Sequence, residues 1–275
     1  MRHQDPQSTR TEVYAMVAPP DNDVLWARSL HCSPWGSTRT GSGAGAPALT
    51  GVSLGVREGE ILAVTGPRGS GKTTLLRCLS GQLRPDGGEV WFNSVPVHTM
   101  SPPARERLRR DRFGWIGPEP RLVPELNVWE NAALPLLIGG APHRTAKRAA
   151  MEWLDRLDIG DQARKRPQTL DRARAQRVAL ARALVTLPSV LFADEPTAPL
   201  HRADRALLLR TLTTAARSHD ITVVLATHEA ETAGLADRAL ALLDGHLAGA
   251  VPQPASAAAP RPGEAEGRDT CSVSA

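Results

Sequence analysis

Lysine is nearly missing from this chain: only three of its 33 basic residues are lysine, and the rest are arginine. Aromatic residues fill 4% of the 275 positions, and cysteine occurs three times. Cys32, Cys78 and Cys271 are scattered without metal-ligand spacing, which excludes a zinc or disulfide framework and reads as reduced thiols with no site. Long apolar runs are also absent. The longest candidates, such as Ala132–Ile138, are interrupted by Pro135 or stop at Gly139, far short of a membrane-spanning helix. The opening residues Met1-Arg2-His3-Gln4-Asp5-Pro6 lack the apolar segment of a secretory signal, so the expected location is cytoplasmic. A formal net charge of +4 is modest and the arginines are spread, which favours a solvated surface over a nucleic-acid stripe; no nucleic-acid partner is expected. What is present, 41% hydrophobic residues, suffices for a buried core of one substantial domain or two small ones.

The chain punctuates itself clearly. Residues 1–23 are polar and read as a disordered lead, and residues 251–275, rich in Pro, Ala and Ser, as a disordered tail. Ser33–Pro47 is Gly/Ser/Thr-rich and reads as a loop between early strands. Strands are expected at Val24-Leu25-Trp26, Gly51–Val56, Ile61–Thr65, Glu89–Phe92, Val190–Ala193 and Thr222–Ala226. Helices are expected at Pro102–Asp111, Arg144–Leu157, Ala203–His219 and from Arg172 towards Pro188, which makes the middle, about residues 95–170, mostly helical. Strands alternating with helices predict an α/β fold with a largely parallel sheet.

The most informative stretch is Gly66-Pro67-Arg68-Gly69-Ser70-Gly71-Lys72-Thr73-Thr74. It lies between the apolar run Ile61-Leu62-Ala63-Val64 and a helical pattern with Leu75, Leu76, Leu79 and Leu83 on one side. Strand, glycine-rich loop and helix are the context of a phosphate-binding P-loop. Glycines let successive N–H groups curl inward around phosphate oxygens, and the helix N-terminus adds donors. Lys72 is expected to reach the β/γ-phosphates of a nucleotide, and the Thr73 hydroxyl to ligate Mg2+. That a lysine stands here, in a chain that otherwise uses arginine, fits a site wanting a compact point charge.

Two further strands end in chemistry. Val190-Leu191-Phe192-Ala193 runs into Asp194-Glu195, and Thr222–Ala226 into Thr227-His228. Acids often finish strands, but here they follow a P-loop at a distance that lets two parallel strands be neighbours. Asp194 is then placed to hold Mg2+ through water, and Glu195 to polarise an attacking water as general base. His228 reads either as a satisfied surface histidine or, following a buried strand, as a hydrogen-bond donor to the γ-phosphate or the water.

On these residues the chain resembles the ATP-binding subunits of ABC transporters over about residues 24–250. The Walker A loop is GPRGSGKTT, the Walker B strand is SVLFADEPT, and the switch histidine lies in LATHE. The run RFGWIG…LVPELNVWENAALPLL is similar to the subgroup serving MacB/FtsX-type permeases, which includes lipoprotein-release and macrolide-export systems. The resemblance implies a RecA-like core, an antiparallel β-subdomain and a helical subdomain. It also implies an integral-membrane permease as partner, attachment to the inner face of the membrane through it, and a head-to-tail dimer with a second ATP-binding subunit. Each ATP would lie between the Walker motifs of one subunit and the signature of the other. The adenine-stacking aromatic best matches Trp35, which can equally be incidental in its loop.

Three motifs depart from the family pattern. Where LSGGQ is usual, residues 170–174 read Leu170-Asp171-Arg172-Ala173-Arg174. A carboxylate about 4 Å from a phosphate charge costs about 4 kcal/mol at an effective dielectric of about 20, more than one hydrogen bond returns. Alternatively, Asp171 simply N-caps the following helix. Pro118 replaces the Q-loop glutamine, leaving Glu119 as either a substitute metal ligand or a solvated charge, and the D-loop reads Pro199-Leu200-His201. The motifs acting within the subunit are mostly intact, while those offered to a partner are degraded. Two functions therefore stand: an ATP-hydrolysing transport subunit paired with a chain carrying an intact signature, as hetero- or homodimer, or a weakly hydrolysing regulatory module on a permease.

Overall fold

The computed structural model describes residues 23–33 and 48–250; Trp35, Cys271, the lead up to residue 22, most of the Ser33–Pro47 loop and the tail lie outside them. In chain order the elements are β1 Asp23–Cys32, β2 Leu49–Arg57, β3 Ile61–Thr65, α1 Lys72–Leu79, β4 Gly87–Phe92 and β5 Val95–Pro96. There follow α2 Pro102–Arg112, β6 Phe113–Ile116, α3 Val128–Ile138, α4 His143–Arg156, α5 Arg172–Leu184 and β7 Val190–Asp194. The chain then forms α6 Arg202–Ser218, β8 Thr222–Thr227, α7 Ala230–Ala233, β9 Arg238–Leu243 and β10 His246–Ala250.

Two sheets result. The larger has the order β10-β9-β3-β8-β7-β6, parallel throughout except for the β9–β10 hairpin. The smaller, β2-β1-β4-β5, is antiparallel. The mixed α/β fold with a mainly parallel sheet is therefore as expected.

The period of two in the central strands explains the layering. Ile61 and Ala63 of β3, Leu191 and Ala193 of β7, and Val223 and Leu225 of β8 face a core shared with α3, α4, α5 and α6. Their alternates Leu62, Val64, Val190, Phe192, Val224 and Ala226 face a second core, shared with the antiparallel sheet and α1. Strands buried on both faces read as continuous apolar runs, which is why these three were visible. Helix α1 sends Leu75, Leu76, Cys78 and Leu79 into the second core, so the P-loop helix is clamped between the two sheets. Cys32 and Cys78, far apart in sequence, are buried free thiols, and the neighbouring Cys32 thiol together with burial pushes the Cys78 thiol up.

The middle of the chain contains more than helices. Strand β6 pairs in parallel with β7 at the sheet edge, inside the stretch read as mostly helical. Gly114 makes this possible: a Cβ there would stand 2.5 Å from the Ala183 carbonyl oxygen of α5. The apolar stretch Val128–Leu137 becomes α3, started by a capping box in which Asn127 Oδ1 accepts from Glu130 N and Glu130 Oε2 accepts from Asn127 N. Asp23, assigned to the lead, is the first residue of β1.

Candidate functional site

The loop between β3 and α1 is shaped by close backbone approach. A Cβ on Gly66 would lie 2.2 Å from the Leu242 carbonyl oxygen, and one on Gly71 2.2 Å from that of Ala48. Gly71 also has φ +102° at the N-cap of α1, a conformation that favours glycine. The loop is further fixed by Gly245 N donating to Ser70 O at 3.1 Å, and Thr50 N to Gly245 O at 2.8 Å. Ser70 Oγ is buried without a hydrogen-bond partner, the mark of a cradle built for an external acceptor or donor. Gly69, Gly71, Lys72, Thr73, Thr74 and Glu195 line a pocket of about 490 Å3 with Arg68, Ala48, Asp244 and Gly245.

The strand-end residues converge on the same place because β3, β8 and β7 run parallel in that order in one sheet; β8 stands between the other two, so β3 and β7 are not the direct neighbours the sequence suggested. Thr73 Oγ1 donates to Asp194 Oδ1 at 3.0 Å. Lys72 Nζ donates to the Gly66 and Pro67 carbonyls at 2.7 and 2.9 Å and lies 3.4 Å from Glu195 Oε1. His228 Nδ1 is 2.8 Å from Glu195 Oε2; facing a carboxylate, that nitrogen carries the proton and donates. Glu195 takes φ +46°, an uncommon conformation for a non-glycine residue at the end of a fully buried strand. A hydroxyl and a carboxylate meeting under a cradle of N–H groups are the hard-oxygen donors that suit Mg2+ completed by phosphate and water.

Burial is the main force on Asp194, raising its pKa above the ordinary carboxylate value; the Thr73 hydroxyl opposes this, and the Glu195 charge adds to it. The folded state then holds that proton more tightly than the unfolded chain, so the ionised group penalises stability at neutral pH and the penalty lifts as pH falls. Asp194→Asn, which can still accept from Thr73, is expected to stabilise the nucleotide-free chain by about 1 kcal/mol at pH 7. Thermal denaturation checks this, and a lower Tm for the variant would show that the carboxylate is stabilising.

The degraded motifs also come together. Asp171 is the N-cap of α5: its Oδ1 accepts from Arg174 N at 2.8 Å and its Oδ2 pairs with Arg174 Nη1 at 3.1 Å. His201 occupies the N-cap position of α6 without a side-chain cap bond. Asp171, Arg172, Arg174, Arg177, His201 and Asp204 surround a second pocket of about 480 Å3, apart from the first. Glu119 is exposed, 3.9 Å from Arg121, and does not line the first pocket, which favours the solvated reading. Sequence reasoning missed Ala48, Asp244 and Gly245 as pocket walls, because nothing local marks them. It also passed over Gln176, a fully buried polar residue on α5.

A family model described as ABC transporter matches residues 49–198. The chain is 39% identical over 201 residues to the lipoprotein-releasing system ATP-binding protein LolD 2 of Caulobacter vibrioides, covering 73% of this chain and 88% of that one. It is equally 39% identical over 199 residues to YbbA of Escherichia coli, an uncharacterized ABC transporter ATP-binding protein, covering 72% and 87%. Among solved structures, a dimeric ATP-binding cassette in a post-hydrolysis state bound to ADP and Pi superposes with a TM-score of 0.77 at 27% identity, over 84% of this chain and 99% of the other.

Proposed function

We propose, from the premise that this chain belongs to the ABC transporter family, that it is the ATP-binding and hydrolysing subunit of a membrane transporter. The observation that carries the reading is the convergence of Lys72, Thr73 and Glu195 on one glycine-walled pocket, with Asp194 hydrogen-bonded to Thr73 and His228 to Glu195 behind them. Membership makes the protein an ABC-type ATPase; the individual roles are our assignment. The loop from Gly66 to Thr74 binds the phosphates, with Lys72 turning from its own loop carbonyls to the β/γ-phosphates. Thr73 and Asp194 would hold Mg2+, which neutralises phosphate charge. Glu195 accepts the proton of the attacking water, and His228, donating through Nδ1, fixes the Glu195 carboxylate in that orientation.

No helix among the described residues is long and apolar enough to cross a membrane. A membrane role therefore rests on an integral permease, as the lipoprotein-releasing relatives imply, with export as the direction we favour and the inner membrane face as the location. The state of Asp171 favours a second reading alongside the first. The N-terminus of α5 is already capped by its own carboxylate, so it is poorly suited to a partner's γ-phosphate. This supports pairing with a subunit whose signature is intact, or weak hydrolysis in a regulatory role.

The nucleotide assignment is tested by Lys72→Ala. Loss of a charge-assisted contact to phosphate is expected to weaken MgATP binding by about 100-fold, measured by calorimetry. An unchanged dissociation constant would sink the P-loop assignment.

A further inference from the structure

Helix α5 turns a face of Val178, Ala179, Leu180, Ala181, Ala183 and Leu184 into the core, and in this setting Gln176 is also fully buried. Its Nε2 donates to two carbonyls, Gly117 O at 2.7 Å and Pro196 O at 2.9 Å. Two acceptors fix which end of the amide is nitrogen, and they leave Oε1 buried with no hydrogen-bond partner. An aliphatic residue would fill the same space and spare the unpaired Oε1, but it would take the donor from both carbonyls, so the glutamine is accounted for by those two acceptors rather than by packing alone.

The two carbonyls identify what the amide holds. Pro196 directly follows Glu195, whose left-handed backbone is secured on its other side by Glu195 N donating to Ala226 O at 2.9 Å. Strained backbone persists only where its surroundings over-determine it, and Gln176 is the clamp on the downstream side. Gly117 directly follows β6 and begins a segment that is fastened by side chains rather than by its own secondary structure. Arg182 of α5 donates to the Pro120 and Arg121 carbonyls at 2.7 and 3.0 Å, and Asn131 of α3 binds Val123 N, Val123 O and Leu126 O. Among the side-chain hydrogen bonds of the described residues, those of Gln176 join this segment to the one bearing Glu195.

We infer that Gln176 is a positioning residue that locks the Glu195 segment to α5 and to the segment after β6, so that the three move as one. The inference rests on the assignment of Glu195 as general base. It places the mechanical link between the degraded partner-facing helix end and the hydrolytic residue in one buried amide.

The test is amide hydrogen exchange on the full chain carrying Gln176→Met, an apolar side chain of similar length. Amides in residues 195–201 and 117–121 are expected to exchange about 10-fold faster than in the unsubstituted chain, with α5 itself and the MgATP dissociation constant nearly unchanged. A role in packing alone would instead loosen α5. Faster exchange confined to α5, or no change in either segment, overturns the proposal. Should Gln176→Met not fold, Gln176→Asn, one methylene too short to reach both carbonyls, is expected to free one of the two segments; unchanged exchange in both would equally overturn it. Absence of MgATP binding to the unsubstituted chain would remove the nucleotide reading, whereas the exchange pattern still judges the lock.

Discussion

Glu195→Gln is expected to keep MgATP binding while lowering ATP turnover by about 10²–10⁴, the range for loss of a positioned general base. The substitution is nearly isosteric, and the amide oxygen can still accept from His228 Nδ1, which lies 2.8 Å from the carboxylate in the native chain. The phosphate-binding loop is untouched, so the nucleotide remains while the water loses its proton acceptor. With an ATP-bound partner subunit the variant is expected to persist as a closed dimer on a sizing column in MgATP. Native turnover by the variant would exclude Glu195 as base, and a persistent monomer with the native partner present would count against the closed state.

Repair of the signature is the second large effect and the riskier one. Alone, the protein is expected to hydrolyse ATP very slowly, because every site of a homodimer would contain the capped end of α5. Replacing Asp171 by Ser, and Arg172 and Ala173 by Gly, removes the carboxylate and opens the backbone to a phosphate. A recovered γ-phosphate donor is expected to raise turnover by about 10²–10³. The repair has a structural cost that identifies why the native residues suit a helix. Serine caps as well as aspartate, but two glycines in the first turn cost about 1 kcal/mol each or less. Groups acting as a unit are not additive, so Gln at 118 and Asp at 201 belong in a second variant. Steady-state turnover of the three proteins at equal concentration decides the matter. Brisk hydrolysis by the unaltered chain alone would remove the main support for an unequal pair.

What could be read from the sequence depended on how local its cause was. β3, β7 and β8 are legible because both faces are buried, whereas α3 was read only as part of a mostly helical middle, its capping signal at Asn127 and Glu130 passed over. β6 was not legible: four residues including a glycine carry little strand signal, and Gly114 is explained only by α5 lying against it. The β9–β10 hairpin turns at Asp244-Gly245, with φ +46° and +78°, a pair typical of tight hairpins, yet its flanks are mostly alanine and leucine, which favour helices as readily. The site divides in the same way. Residues 66–74 form one contiguous stretch of loop and first helical turn, and Asp194, Glu195 and His228 sit at strand ends, so a motif reveals them. The walls at Ala48 and Asp244, and the clamp at Gln176, exist only once distant segments meet.

That distance bears on the order in which the protein is made. The loop emerges early in synthesis, yet its backbone is closed by Leu242 and Gly245, and neighbouring β3–β9 contacts such as Thr65 to Leu240 span 175 residues. Closing so long a loop costs several kcal/mol of chain entropy, on the order of 5, and cannot begin until β9 has left the ribosome. A nascent chain halted before residue 240 thus carries the complete glycine-lysine motif and no finished cavity. Nucleotide is therefore expected to favour chains whose β9–β10 hairpin has docked. Ribosome-stalled chains of graded length should therefore retain ATP only after the hairpin clears the exit tunnel, and retention by shorter chains would show that the loop is competent without its far wall.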